Sequence, residues 1–312
     1  MKRELPPSER LITVVEESLK LAMSPPQGVR LPWWGDLSDA LGGLRAHELT
    51  LITAPTGAGK TQLNACISTQ LLQLGIPQFV ASVETGRHDY FLRMASAMMS
   101  YDFNTGEPIP ASACAKFLER HAETLKNDSV WFARYDDRVD AEEMVEVLGR
   151  EVEEHRVQVA VLDNLNFFLK VSSSHMEKAE MDSAIHRFVM LVKRIPVHVI
   201  LVVHPKKTTD GRVTSEFDIK GSSTAVQEAS NVILFNRLPA DQVDAGLYRR
   251  TDRELTIAKA RRRGSHVGSK FLFSFTGGRY SEISKKGSES GASKSVVGSR
   301  VKNVSRGNYP IL

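Results

Sequence analysis

The sequence predicts an α/β fold, a mainly parallel, twisted sheet flanked by helices. From about residue 47, apolar runs of strand length alternate with longer helical stretches, the rhythm of successive strand–helix–strand units. The runs LTLITA (49–54), QFVASV (78–83), VQVAVLD (157–163) and VHVILVV (197–203) are largely apolar and rich in Val and Ile, as strands covered on both faces are. The first of them leads straight into APTGAGKT (54–61), a glycine-rich turn that opens a helix.

Around this frame the remaining elements follow in order. Residues 11–23 (LITVVEESLKLAM) place Leu11, Val14, Val15, Leu19 and Met23 close to one helical stripe. SPPQGVRLPWWG then breaks any helix and reads as a linker. Further helices are expected at 60–74, ending before Gly75, and near 87–101, 111–126, 140–155 and 177–194. NVILFN (231–236), ELTIAKA (254–260) and KFLFSF (270–275) read as a last set of strands. The expected division is an N-terminal linker segment with a short helix (1–30), one α/β domain (31–283) and a basic tail (284–312). The Ser/Gly/Lys-rich tail has little to pack and reads as disordered.

Composition narrows the function classes. With 312 residues, 41% hydrophobic and 25% charged, the chain is an ordinary globular protein with enough apolar residues for a sizeable core. Residues 284–312 hold Lys285, Lys286, Lys294, Arg300, Lys302 and Arg306 against Glu289 alone, a net of +5, so the +4 of the whole chain leaves the rest at −1. An anion is therefore bound through local clusters and not through an overall field. Cys66 and Cys114 form no CxxC pair and no His cluster accompanies them, which speaks against a disulfide framework or a structural zinc and fits a reducing compartment. No apolar run reaches the length of a membrane span, and the opening residues lack the apolar core of a secretory signal; the cytoplasm is the expected location.

APTGAGKT carries the chemistry. It matches the phosphate-binding loop pattern in its required place between strand and helix, with Ala54 where the first glycine usually stands. Pro55, Thr56, Gly57, Ala58 and Gly59 would wrap the phosphates. The two glycines allow close backbone approach and turn N–H groups inward, and the following helix adds its N-terminal dipole. Lys60 would reach the β- and γ-phosphates, and the Thr61 hydroxyl would ligate Mg²⁺. Asp163, at the end of VAVLD, is the expected second metal residue. Because Asn164 follows it, no carboxylate there can activate water, and Glu84 in SVET is the candidate base. If strand 78–83 lies beside the phosphate-loop strand, Glu84 faces the γ-phosphate from the side. His204, closing VHVILVV, is placed to sense the γ-phosphate. The expected substrate is ATP or another NTP or dNTP, with Mg²⁺.

In order, GxGKT, SxE, LDNLNF, VVHPKK, KGSSTAVQEASNVILF and AKARRRG resemble the hexameric replicative helicases of the RecA-like DnaB superfamily. The nearest branch is that of the mitochondrial Twinkle helicases and the phage primase–helicases. The resemblance spans about residues 30–280. It implies a RecA-like core and a ring, most simply a homo-hexamer, that drives along single-stranded DNA and opens forked duplexes during replication. It further implies that Gln227 links nucleotide state to DNA at the nucleotide site. Lys259 and Arg261 match a Lys-x-Arg whose arginine acts as a finger on the neighbouring subunit's nucleotide. Lys206, Lys207 and Lys220, in the loop 205–221, would grip DNA. The other basic residues of 249–263, Arg253 among them, read as a solvated face. No primase region precedes the core, so a primase, like a DNA polymerase, would be a separate partner; no membrane partner is expected. The phage likeness makes a phage-encoded protein acting in a host cytoplasm one reading. The helix at 11–23 would dock on a neighbouring subunit or else pack on its own core. Two rival functions share the core motifs: a strand-pairing recombinase or annealing ATPase, and a nucleotide-binding loader or scaffold that does not hydrolyse.

Overall fold

The computed structural model describes residues 10–283 except 104–107, 128, 135–138, 171–176, 207–212, 214, 216–217 and 220–222; the tail expected at 284–312 lies outside the described residues. The strands are β1 (Glu48–Thr53), β2 (Gln78–Ser82), β3 (Val130–Phe132), β4 (Val159–Asp163), β5 (His198–Val203), β6 (Asn231–Arg237), β7 (Arg253–Ala260), β8 (Lys270–Thr276) and β9 (Arg279–Ile283). They form one sheet in the order β3-β2-β4-β5-β1-β6-β7-β8-β9. From β3 to β6 every pairing is parallel, and β6 to β9 pair antiparallel. The expected parallel core is present, with a three-strand antiparallel extension.

One expectation is corrected by this order. Strand β2 is not beside β1: β4 and β5 stand between them, and β2 pairs with β3 and β4. The short edge strand β3 was not foreseen; three residues of VWF carry too little periodicity to be seen.

Helices cover both faces. Helices α2 (Gly35–Leu41), α3 (Lys60–Gln73), α4 (Arg87–Met99) and α5 (Ala111–Lys126) pack with Ile52, Val80, Val161 and Phe235 on one side. Helices α6 (Ala141–His155), α7 (Glu177–Arg194) and α8 (Ser223–Glu228) pack with Leu49, Leu51, Leu162 and Leu201 on the other. Residues of β1 thus serve opposite cores, Leu49 and Leu51 on one face and Ile52 on the other, which is why its apolar residues do not simply alternate with exposed ones. The linker reading of SPPQGVRLPWWG holds only for its first part. Pro25, Pro26 and Gln27 are exposed, but Trp34 is buried, stacks edge-on against Phe273 and donates from Nε1 to the Tyr280 carbonyl at 3.0 Å. A segment too rich in Pro and Gly to form an element still contributes a core anchor. Helix α1 (Leu11–Met23) forms as expected, but none of its residues is buried, so it does not pack on its own core. Among the described residues no helix is long and apolar enough to cross a membrane.

The strand ends opposite the phosphate loop hold a buried polar chain. His198 Nδ1 donates to the Arg45 carbonyl (2.8 Å), which fixes Nε2 as an acceptor for the Thr50 hydroxyl (3.0 Å). Asn231 Nδ2 donates to Thr50 Oγ1 (3.1 Å) and to Glu48 Oε2 (3.2 Å), and Glu48 Oε1 pairs with Arg262 Nε at 3.0 Å. Burial drives the His198 pKa down to about 4, and the Arg45 charge pushes the same way. A neutral imidazole is what this chain needs, because a second N–H would compete with the Thr50 hydroxyl. Between the unfolded pKa of 6.5 and the folded value of about 4 the unfolded chain binds the extra proton, so stability is full above 6.5 and is lost as pH falls through that window. Denaturant unfolding at pH 7 and at pH 4.5 should differ by roughly 2 kcal/mol from this group. His198→Gln should flatten that part of the slope; an unchanged slope would remove His198 as its source.

Candidate nucleotide site

Because β1, β2, β4, β5 and β6 run the same way, their C-terminal ends share one edge of the sheet, and the functional side chains follow from that edge. The phosphate loop leaves β1 at Thr53 and enters α3 at Lys60, with Gly57 (φ 69°) and Gly59 (φ 101°) in backbone conformations that L side chains rarely adopt. At Gly59 a Cβ would also stand 2.4 Å from the Tyr280 hydroxyl, so no other residue fits there. Lys60 Nζ donates to the carbonyls of Ala54 (2.9 Å) and Pro55 (3.3 Å), folding back over the loop. Burial lowers its pKa, opposed by the charges of Asp163 and Glu84.

Asp163 closes β4, in register with Ser82 of β2, and is almost wholly buried. Burial raises its pKa, the nearby Glu84 charge adds to this, and a hydrogen bond from Thr61 and the Lys60 charge oppose it. Its Oδ2, together with Thr53 Oγ1 and Ser82 Oγ at other strand ends of the same edge, is buried without a hydrogen-bond partner among the described residues. Glu84 lies two residues past the end of β2, exposed, and its Oε2 accepts from Asn164 Nδ2 at 2.7 Å. His204 directly follows β5, which pairs with β1 on one side and β4 on the other. Thus Lys60, Thr61, Asp163 and Glu84 interact electrostatically across three non-adjacent chain segments, with His204 at the strand end between the loop and Asp163.

The donor set fits Mg²⁺. A hydroxyl and one carboxylate with an unpartnered buried oxygen are hard ligands, and Mg²⁺ is held by one or two carboxylates plus substrate phosphates. Among the described residues no three His, Cys, Asp or Glu side chains converge, and such a site does not require it.

Sequence reasoning missed the braces of the loop. Arg237, at the end of β6, donates to the Gly57 carbonyl (3.0 Å), and Arg253 Nε, on β7, donates to the Ala58 carbonyl (2.7 Å). The Tyr280 hydroxyl also reaches the Ala58 carbonyl (3.5 Å). Arg253 is therefore not part of a solvated face but a strut. Nothing local in the sequence marks it, because the loop lies about two hundred residues away in the chain.

The other expected residues stand elsewhere. Lys259 Nζ donates to the Val226 carbonyl (3.0 Å), and Arg261 donates to the carbonyls of Gln227 (3.0 Å) and Glu228 (3.1 Å), so both cap the C-terminal end of α8. Ala260 pairs with Asn231 at the start of β6, and β6 starts level with Thr50, so this cap lies at the edge opposite the phosphate loop. Gln227, expected at the nucleotide, is exposed on that opposite edge and does not reach the loop of its own chain. Lys206 is anchored through its backbone N–H to the Asp218 carbonyl beside the bridge Pro205–Ile219. Lys207 and Lys220 lie outside the described residues.

A parallel sheet with this strand order, carrying a phosphate loop and a second carboxylate at one edge, defines a RecA-like P-loop ATPase. The sequence profile of the DnaB-like helicase C-terminal domain matches residues 33–282, and the chain belongs to that family. It is accordingly an NTP-hydrolysing DNA helicase, a replicative helicase ATPase. The fold is similar to that of a structure solved as an isolated ATPase domain (TM-score 0.70, 13% identity, 89% of this chain and all of that one). It is also similar to a DnaB-like replicative helicase solved to show its interactions with primase (TM-score 0.70, 12% identity, 89% of this chain and 68% of that one).

The buried charge at Asp163 costs the free protein stability, since its carboxylate is held above its ordinary pKa by burial. Asp163→Asn removes that charge at nearly constant shape. Thermal unfolding without nucleotide at pH 7.5 should show Tm raised by a few degrees. A lowered Tm would mean that the pairing with Lys60 outweighs the desolvation.

Proposed function

We propose that this chain is the motor of a ring-shaped helicase, in which ATP with Mg²⁺ is bound at the phosphate-loop edge of one subunit and completed by Arg261 of the next. The observation that carries this reading is the separation of the two halves of the site on one sheet. Lys60, Thr61, Asp163 and Glu84 occupy one edge, while Arg261 occupies the other. A guanidinium there cannot serve its own nucleotide, but a head-to-tail neighbour brings the two edges together, and a repeated heterologous contact of this kind forms a ring when its rotation closes. The exposed apolar helix α1, unpacked in its own chain, supports a second contact of the same sense.

Each residue has a role in this scheme. Pro55 to Gly59 cradle the phosphates with backbone N–H groups, and Lys60 supplies the point charge at the β- and γ-phosphates. Thr61 and Asp163 would hold Mg²⁺, which neutralises phosphate charge when bound. Glu84 accepts a proton from the attacking water, and His204 reports the γ-phosphate to the loop that begins at Pro205. Lys259 and Gln227 tie the Arg261 strand end to α8, so that a change at the finger reaches the segment after the DNA loop. Lys206, Lys207 and Lys220 grip the single-stranded backbone without reading sequence. Because these are charge contacts, binding should weaken steeply with salt. The primase contact named for a similar protein supports a separate primase as partner here.

Three variants test this. Lys60→Ala should lose both hydrolysis and fork unwinding. Glu84→Gln should bind nucleotide with near-native affinity while turnover drops by roughly a hundredfold or more. Native turnover in Glu84→Gln would move the base elsewhere, and strand pairing without displacement by the unaltered protein would favour the recombinase reading. Lys206→Ala should shallow the slope of log affinity against log salt by about one per lost contact.

A further inference from the structure

The candidate base is a poor match for its surroundings. Glu84 is exposed on a turn, and an exposed glutamate samples many rotamers, so fixing it in one geometry costs side-chain entropy. Yet its carboxylate has a fixed partner. Asn164, almost wholly buried, donates from Nδ2 to Glu84 Oε2 at 2.7 Å. The amide is not free to flip, because its Oδ1 accepts from the Asn166 backbone N–H at 3.1 Å. The turn itself is tied to the same place: the Val83 N–H donates to the Asp163 carbonyl at 3.1 Å.

From this geometry we infer that Asn164 is a positioning residue for hydrolysis: it engages one oxygen of Glu84 and leaves the other, Oε1, for the attacking water. This rests on the reading of Glu84 as the base. The residue that follows the metal-side carboxylate therefore has a positive task. It supplies a neutral, oriented donor between two carboxylates, where an acidic residue would repel both. A hydrogen bond from an amide to a carboxylate is charge-assisted and short, as this one is. It restrains a surface side chain from a rigid core position, the arrangement that keeps a catalytic group within its productive geometry.

The test is a double-mutant cycle on the full chain, reading steady-state and single-turnover ATP hydrolysis beside binding of a fluorescent ATP analogue. Asn164→Ala should lower kcat by about 10–100-fold, the usual loss when an outer support is removed, with KM and analogue affinity near native. Asn164→Ser, whose hydroxyl still caps the Asn166 N–H but falls short of Glu84, should show the same loss, and it serves if the alanine variant folds poorly. In a Glu84→Ala background neither change should lower the residual rate further, because the group that Asn164 positions is gone. A native or raised kcat in both Asn164 variants overturns the inference, as does an equal fractional loss in the Glu84→Ala background, which would mark a general structural role. If Glu84→Ala itself turns over normally, the base reading fails; if only the Asn164 variants are normal, that reading stands and the positioning role falls.

Discussion

Strand direction is the constraint on which the rest of this molecule depends. A parallel sheet sends every strand's C-terminal end to the same edge, and each connection must return through a helix. The C-terminal ends of six strands, β1 to β6, therefore share that edge and bring together residues up to about 180 positions apart. The same polarity forces the antiparallel strand β7 to end at the far edge, carrying Arg261 away from the loop that Arg253, at its other end, braces. One strand thus supports its own nucleotide loop at one end and offers a cation to a neighbour at the other.

The site is held in tension by its own burial. Desolvation pushes the Asp163 carboxyl up and the Lys60 ammonium down, and their mutual attraction offsets part of both. Polar atoms at the strand ends lack partners among the described residues, while the Gly57 and Ala58 carbonyls of the loop are satisfied by Arg237, Arg253 and Tyr280. The backbone of the loop is therefore braced in advance, and the side chains that face it keep unused hydrogen-bonding capacity. A ligand rich in anionic oxygens with a hard cation answers that pattern. At the opposite edge the polar chain from His198 to Glu48 is hydrogen-bonded from member to member and ends in the ion pair of Glu48 with Arg262, which suits a structural role.

Much of this was legible from residues alone, for physical reasons. The phosphate loop announces itself because close backbone approach demands glycine and a fixed lysine, and Val/Ile runs mark strands buried on both faces. Helix 177–194 was placed to the residue because its periodicity is long. The position of β2 was not legible, since strand order is set by packing of whole helices and leaves no trace in a five-residue run. Arg253 reads as a surface charge and Arg237 carries no signal at all, because their partners are backbone carbonyls with no sequence identity. In the sequence Asn164 reads only as the absence of a carboxylate; its donor contact depends on the pairing of β2 with β4. Resemblance alone points Gln227 to the nucleotide, and strand polarity sets it at the other edge of its own chain.

The central claim, that each active site is assembled from two subunits, is tested most directly by mixing Glu84→Ala with Arg261→Ala. Each variant alone should be nearly inactive, the first lacking its base and the second lacking the cation for its neighbour. In rings mixed at random from equal amounts, about one interface in four pairs an intact Glu84 with an intact Arg261. ATP hydrolysis should then return to about a quarter of the native rate. If the subunits exchange, as fluorescence transfer between labelled chains would establish, and hydrolysis stays at the level of the separate variants, Arg261 does not act on its neighbour.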